Sequence, residues 1–237
     1  MMATSKPHEL VIALDGAFDG QKTTALLYTA QAAADRRAAL VLAHGAGAGQ
    51  RHPALVHWSR ALSGHGIDVI TFNFLYMERG RRAPDRMPLL VECFRGVIAA
   101  ARAKLDSARD RLFIGGKSMG GRAATHVAAE DPSLPIRGIV LLGYPLHPPG
   151  RSDQLRDAHL PGVRRPMLFI QGTRDAFGTP SELKPILASL SPLPTLHHVE
   201  GGDHSFKIAG RDAKDRQAAV HMDIERTIVD WIDSTVV

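Results

Sequence analysis

Leu112-Phe113-Ile114-Gly115-Gly116-Lys117-Ser118-Met119-Gly120-Gly121 is the stretch that decides how this chain folds. An apolar run leads into it, and the pattern that follows is helical. Between them stands G-x-S-x-G, Gly116 to Gly120, at a strand-to-helix junction. A serine there must sit on a tight turn in strained backbone geometry, so that its hydroxyl stands clear of the sheet. Gly116 and Gly120 are required because side chains would clash across the turn. Gly121, Ala123 and Ala124 then let the helix lie close on the sheet. The helix amino terminus aims partial positive charge at the site, which favours a developing oxyanion. The tripeptide Gly116-Lys117-Ser118 does not close a phosphate-binding loop. That motif needs a glycine five residues before Gly116, and position 111 is Arg.

Outward from this turn, apolar runs alternate with helical patterns. Strands are predicted at Glu9–Leu14, Thr24–Tyr28, Ala39–Ala43, Asp68–Phe72, Arg111–Gly115, Gly138–Leu142, Met167–Gln171 and Leu196–Glu200. Several read as continuous apolar runs, the signature of strands covered on both faces in a parallel sheet. The first two are separated by the Gly/Asp cluster DGAFDGQ and read as an antiparallel hairpin at one edge. Helices are predicted at Pro53–Ser63, Pro88–Leu105, Met119–Ala129, Pro180–Leu190 and Ala213–Ser234, with Pro185 kinking or delaying the fourth. Strand and helix in alternation imply an α/β fold with a doubly wound sheet. Tyr144–Arg165, rich in Pro, Gly and Arg, is the longest irregular stretch and is too short for a separate lid domain. The expectation is one domain over residues 1–237.

Three further motifs follow predicted strands. His44-Gly45-Ala46-Gly47-Ala48-Gly49 comes after the third. It fails the dinucleotide pattern because position 50 is Gln. It resembles the loop after the third strand of α/β-hydrolases, which implies that a backbone N–H, here that of Ala46, joins the N–H after the nucleophile, here that of Met119, in an oxyanion hole. Gln171-Gly172-Thr173-Arg174-Asp175 closes the seventh strand and puts Asp175 at its carboxyl edge, where an acid can orient an imidazole. Gly201-Gly202-Asp203-His204-Ser205-Phe206 follows the last strand, and His204 is the best general base among 12 histidines. Asp203 is the weaker acid, since side chains of adjacent residues seldom face each other. Ser118, Asp175 and His204 stand in the chain order of an α/β-hydrolase triad.

Composition bounds the rest. The chain has 237 residues, 44% hydrophobic and 22% charged, with a net charge of +5. That describes an ordinary globular protein long enough to need no covalent staples. Aromatic residues are only 5%, few for base-stacking platforms, and no zinc-finger spacing or long basic run occurs. Nucleic acid is therefore not expected as a partner. The amino terminus lacks a long apolar core, and no run reaches the ~18 residues of a membrane span. The single cysteine, Cys93, fits a reducing compartment, and a cytoplasmic location is expected. Cys93 lies beside the apolar stripe of Pro88–Leu105 and reads as core, not as a nucleophile. His52 and His57 miss the i, i+4 spacing of a zinc pair, so no metal and no cofactor are expected.

The four motifs together resemble the α/β-hydrolase superfamily over nearly the whole chain. In size the chain is similar to the small lidless dienelactone-hydrolase-like group, which often uses cysteine where this chain has Ser118. HGAGAG, GRRAPDR, GGKSMGGR, GYPLHPPG, QGTRDAFG and EGGDHSFK resemble the hydrolase-like family that includes subunit 3 of the NSL chromatin complex. The resemblance implies a mostly parallel eight-stranded doubly wound sheet with an antiparallel N-terminal edge and no separate lid. It implies a serine hydrolase acting on an ester, thioester or lactone of a small substrate. The alternative is a non-catalytic scaffold of the same fold that binds a protein partner. Arg81 and Arg82, in the loop after the fourth strand, are candidates for an acidic group on the substrate. Tyr144 and His147 are candidates for a pocket wall, with Lys117 reaching toward it.

Overall fold

The structure is a computed structural model and describes residues 6–14, 16–18, 20–31 and 35–235. Eight strands form one sheet: β1 (His8–Leu14), β2 (Gln21–Tyr28), β3 (Ala38–Ala43), β4 (Ile67–Phe72), β5 (Leu112–Lys117), β6 (Gly138–Leu142), β7 (Met167–Gly172) and β8 (Thr195–Val199). Their order across the sheet is β1-β2-β4-β3-β5-β6-β7-β8. β2 runs antiparallel to both β1 and β4, and every pairing from β4 to β8 is parallel. The expected antiparallel edge is thus a single reversed strand, β2, with β1 outside it. Asp15 and Asp19 of the expected turn cluster lie outside the described residues.

Helices cover both faces. α1 (Pro53–Gly64) and α7 (Ala213–Ser234) pack on one, and α3 (Met87–Lys104), α5 (Met119–Glu130) and α6 (Pro180–Leu187) pack on the other. The strand β3 shows why its apolar run is continuous. Ala39, Val41 and Ala43 join the core under α3 and α5, while Ala38, Leu40 and Leu42 join the core under α1. Side chains alternate between faces with a period of two, so a strand between two helical layers must be apolar throughout. Each fully buried Leu, Val or Phe in these layers contributes about 1.5–3 kcal/mol. Cys93 belongs to the α3 core, and burial pushes its thiol up to about 12, which removes it as a nucleophile.

The fourth helix is shorter than predicted. It starts with Thr179 and Glu182 in a reciprocal capping box, runs through Pro185 and stops at Leu187. Two short helices were not anticipated: α2 (Leu75–Glu78) and α4 (Asp106–Asp110). The first is held by burial of Phe74, Leu75 and Tyr76. The segment 144–165 carries only a 3-10 turn at Leu160–Gly162. Because β3, β5, β7 and β8 are parallel, the loops leaving their carboxyl ends meet at one edge of the sheet.

Candidate active site

Ser118 ends β5 and caps α5 with φ 52° and ψ −118°. A non-glycine residue with positive φ is strained, by about 1–3 kcal/mol, and persists only where its surroundings enforce it. Here the neighbours are backbone. A Cβ on Gly120 would lie 2.5 Å from Ala43 O, and one on Gly116 would lie 2.6 Å from Gly121 N. The turn is therefore pressed against the end of β3, which leaves the Ser118 hydroxyl facing outward.

His204 follows β8 in a Gly-rich loop. Its Nε2 lies 2.9 Å from Ser118 Oγ, and its Nδ1 lies 2.7 Å from Asp175 Oδ2. The Asp175 side chain is fully buried. Gln171 Nε2 donates to Asp175 Oδ2 at 2.8 Å, and Phe177 N donates to Oδ1 at 2.8 Å. Gln171 is itself locked: its Oε1 accepts from Tyr144 N at 2.8 Å, and its Nε2 also donates to Gly178 O at 2.6 Å. A carboxylate only accepts, so the proton of neutral His204 belongs on Nδ1 and the lone pair of Nε2 faces the serine. The Phe177 ring packs on the imidazole at 4.3 Å. Close approach also sets the loop height, since a Cβ on Gly172 would lie 2.6 Å from Asp203 O. Asp203 does not reach the ring. Its Oδ1 accepts from the N–H groups of Ser205 and Lys207 and so shapes the turn.

Ala46 and Met119 line the same cleft as Ser118. Met119 is the first residue of α5, where N–H groups have no intrahelical acceptor. Ala46 lies in a turn closed by Ala48 N to Gly45 O, with Gly47 at φ 68°. His44 fixes that loop from below. Its Nε2 accepts from Phe74 N at 3.1 Å, so Nδ1 carries the proton and donates to Gly45 O at 2.8 Å. Burial lowers the His44 pKa to about 4, which keeps it neutral at physiological pH.

Ser118, Met119, Ala46, His204 and Phe177 line a cleft of about 550 Å³. The geometry of an elbow serine in such a cleft, at the carboxyl edge of this sheet, agrees with what sequence comparison finds. A family model for the alpha/beta hydrolase domain matches residues 36–233. The chain belongs to the alpha/beta hydrolase domain family. Solved structures share the fold. A lidless α/β serine hydrolase from Xanthomonas campestris is 20% identical, with a TM-score of 0.68 over 94% of this chain and 95% of that one. A dienelactone hydrolase from Anabaena variabilis is 19% identical, with a TM-score of 0.70 over 96% and 97%. The esterase domain of a Rhodothermus marinus protein is 16% identical, with a TM-score of 0.68 over 96% and 98%.

The residues expected to bind substrate are placed differently. Arg81 and Arg82 do not line the cleft, and Arg81 pairs with Asp85 four residues on. The pairing of near neighbours in sequence uses up the charge that was expected to meet substrate. Tyr144 and His147 are buried behind the wall rather than forming it. The Tyr144 hydroxyl donates to Arg156 O, and His147 Nε2 meets Glu182 at 3.2 Å. Pro145 supplies the wall instead. The charged residues that do line the cleft include Arg122 and Arg156, neither singled out from sequence. Arg122 was detectable, since it stands four residues after Ser118 on the same helix. Among the described residues no group of three His, Cys, Asp or Glu could hold a metal ion, and no helix is long and apolar enough to cross a membrane.

Lys117, inside the elbow and among the residues lining the cleft, donates from Nζ to His204 O, above the Phe206 ring. Burial lowers its pKa to about 8, outweighing the attraction of Asp175 and Asp203. In the unfolded chain the lysine holds its proton up to about pH 10.4. Between the two values the unfolded state binds more protons, so stability from this group rises with pH. The stability of wild type relative to Lys117→Met is expected to climb between about pH 8 and about pH 10, measured by chemical denaturation. A difference that stays flat across this window contradicts a buried lysine here.

Proposed function

We propose that this protein is a serine hydrolase that cleaves an ester, thioester or lactone of a small, accessible substrate. One observation carries the reading: Ser118 Oγ, the His204 ring and Asp175 form an unbroken hydrogen-bonded row opening on the cleft. The descriptions of its fold relatives as a serine hydrolase, a dienelactone hydrolase and an esterase domain support the same chemistry.

In this reading Ser118 Oγ attacks the substrate carbonyl carbon while His204 Nε2 takes its proton. Asp175 holds the imidazole in the required tautomer and stabilises the imidazolium. The N–H groups of Met119 and Ala46 hold the tetrahedral oxyanion, each donor stabilising the transition state by roughly 3–4 kcal/mol. Collapse breaks the ester bond, and the leaving alcohol or thiol receives the proton from His204. Water then attacks the acyl-enzyme, giving one proton to His204, which returns it to Ser118 as the acid leaves. No step needs a cofactor. The setting that fits the lone buried cysteine, Cys93, is the cytoplasm.

A fluorophosphonate probe tests the reading, because it reacts with an activated serine and not with an ordinary one. Wild type is expected to label, and both Ser118→Ala and His204→Ala are expected to lose the label. Folded wild-type protein that stays unlabelled overturns the proposal and favours the scaffold reading.

A further inference from the structure

Two arginines enter the cleft without a counter-ion. Arg122 lies on α5, one turn after Ser118, with its backbone N–H donating to Ser118 O at 3.1 Å. Arg156 comes from the segment between β6 and β7. Its backbone is tied on both sides, N–H to Leu146 O at 2.8 Å and carbonyl to the Tyr144 hydroxyl at 2.7 Å. Among the described residues, no ion pair or hydrogen bond engages either guanidinium, and Arg122 Nε is buried without a partner. Such an atom costs about 1–3 kcal/mol if nothing satisfies it.

Among the described residues no carboxylate pairs with either guanidinium, although Asp157, beside Arg156 in the chain, acts on the Tyr144 hydroxyl. Beside Arg122, His126 and His159 stack at 3.7 Å with rings 10° apart. Burial lowers them to about 4 and about 3, so both are neutral in the physiological range. Among the described residues Asp85 is the one carboxylate lining the cleft, and Arg81 already holds it. Burial, and then the nearby positive charge of Arg156, pull the Arg122 guanidinium below the usual arginine range. Two forked cations facing one partly dry cleft are matched by a planar oxyanion, which each can grip with two parallel N–H donors.

We propose that Arg122 and Arg156 form an anion subsite, and that the substrate carries a carboxylate on the part of the molecule lying toward α5. The proposal rests on the serine-hydrolase reading for its chemistry, but the subsite itself is a binding feature. Four residues of helix separate Ser118 from Arg122, about 6 Å at 1.5 Å per residue. That offset fits a short half-ester, in which a few carbons separate the scissile carbonyl from the free carboxylate.

Mono-p-nitrophenyl glutarate and p-nitrophenyl butyrate differ by this carboxylate, and the quantity to follow is the ratio of their kcat/KM values. Arg156→Gln and Arg122→Gln are each expected to lower that ratio roughly 10- to 100-fold, the worth of a charge-assisted hydrogen bond. Arg122→Lys, which keeps the charge but loses the fork, should recover part of it. Arg82→Gln, an exposed arginine outside the cleft, should leave the ratio where it was. A ratio unmoved in both cleft variants, or two esters that fall together, overturns the proposal. Should Arg122→Gln not fold, Arg156→Gln carries the same test from an irregular segment. If wild type cleaves neither ester and takes no fluorophosphonate label, the hydrolase reading fails separately. Glutarate binding by calorimetry then decides the subsite: binding weakened about tenfold or more in Arg156→Gln upholds it, and no binding to wild type overturns it.

Discussion

Ser118→Ala is expected to lower kcat/KM for a p-nitrophenyl ester by roughly 10⁵- to 10⁶-fold, with the fold intact. The substitution removes the nucleophile and leaves His204 Nε2, which now faces Ser118 Oγ at 2.9 Å, with nothing to deprotonate. In the proposed mechanism what remains is the donor pair at Met119 and Ala46, which would still polarise a carbonyl for attack by water. Stability should separate two substitutions at this position. Alanine retains a Cβ at φ 52°, so it keeps the strain of the elbow. Ser118→Gly releases that strain, and is expected to be more stable than Ser118→Ala by about 1 kcal/mol in denaturant titration. Activity above about a hundredth of wild type in Ser118→Ala would remove this serine from the mechanism.

Asp175→Asn should cost roughly 10³- to 10⁴-fold in kcat, though it deletes only a charge. The reason lies in the donors already facing this side chain. Gln171 Nε2 and His204 Nδ1 both meet Oδ2, while Phe177 N meets Oδ1. An asparagine must turn its amide nitrogen toward one of these two places. Turned toward Oδ2's place, it faces Gln171 Nε2, a second donor held there by Gly178 O. It also drives the proton of His204 to Nε2, where the imidazole can no longer accept from Ser118. Turned the other way, it faces the Phe177 N–H. Each arrangement leaves a buried donor unpaired, so a loss of about 1–3 kcal/mol in stability should accompany the loss of rate. Unchanged kcat with lowered stability would make Asp175 a structural residue only.

That Ser118, Asp175 and His204 meet was legible in the sequence because their positions are set by local backbone demands. Gly116 and Gly120 are required by a turn that leaves no room for Cβ atoms against Ala43 O and Gly121 N. A strand before, a helix after and one serine between them specify the elbow without knowledge of any distant contact. Asp175 could be placed by similar logic, since it follows β7, whose apolar run MLFIQG marks a buried strand, while His204 follows the mostly polar edge strand β8 and was placed by its Gly-rich loop and its order in the chain. The sheet was legible for the same reason, as the two-faced burial of β3 and β6 writes itself into AALVLA and GIVLL. The helices α2 and α4 were not, because four or five residues are too few to display a helical period. Their places come from burial, as with Phe74, Leu75 and Tyr76.

Gln171 was visible as a residue in QGTRD, but its role was not. Only the meeting of β7 with the loops after β6 and after β7 puts one amide between Tyr144 N, Gly178 O and Asp175 Oδ2. The cleft arginines show the same division more sharply. Arg81 and Arg82 stand in a loop that sequence correctly assigns to the carboxyl edge of the sheet, yet which arginine faces substrate depends on which already has a carboxylate. Arg81 has Asp85; Arg122 and Arg156, 34 residues apart in the chain, have each other's repulsion and an open cleft. Sequence by itself determined the sheet, the elbow and the order of Ser118, Asp175 and His204 along it, because glycine geometry and the two-residue period of strands are local. Tertiary structure alone decided the network behind Asp175 and the charge of the cleft, because hydrogen bonds and ion pairs depend on distances in space that spacing along the chain does not encode.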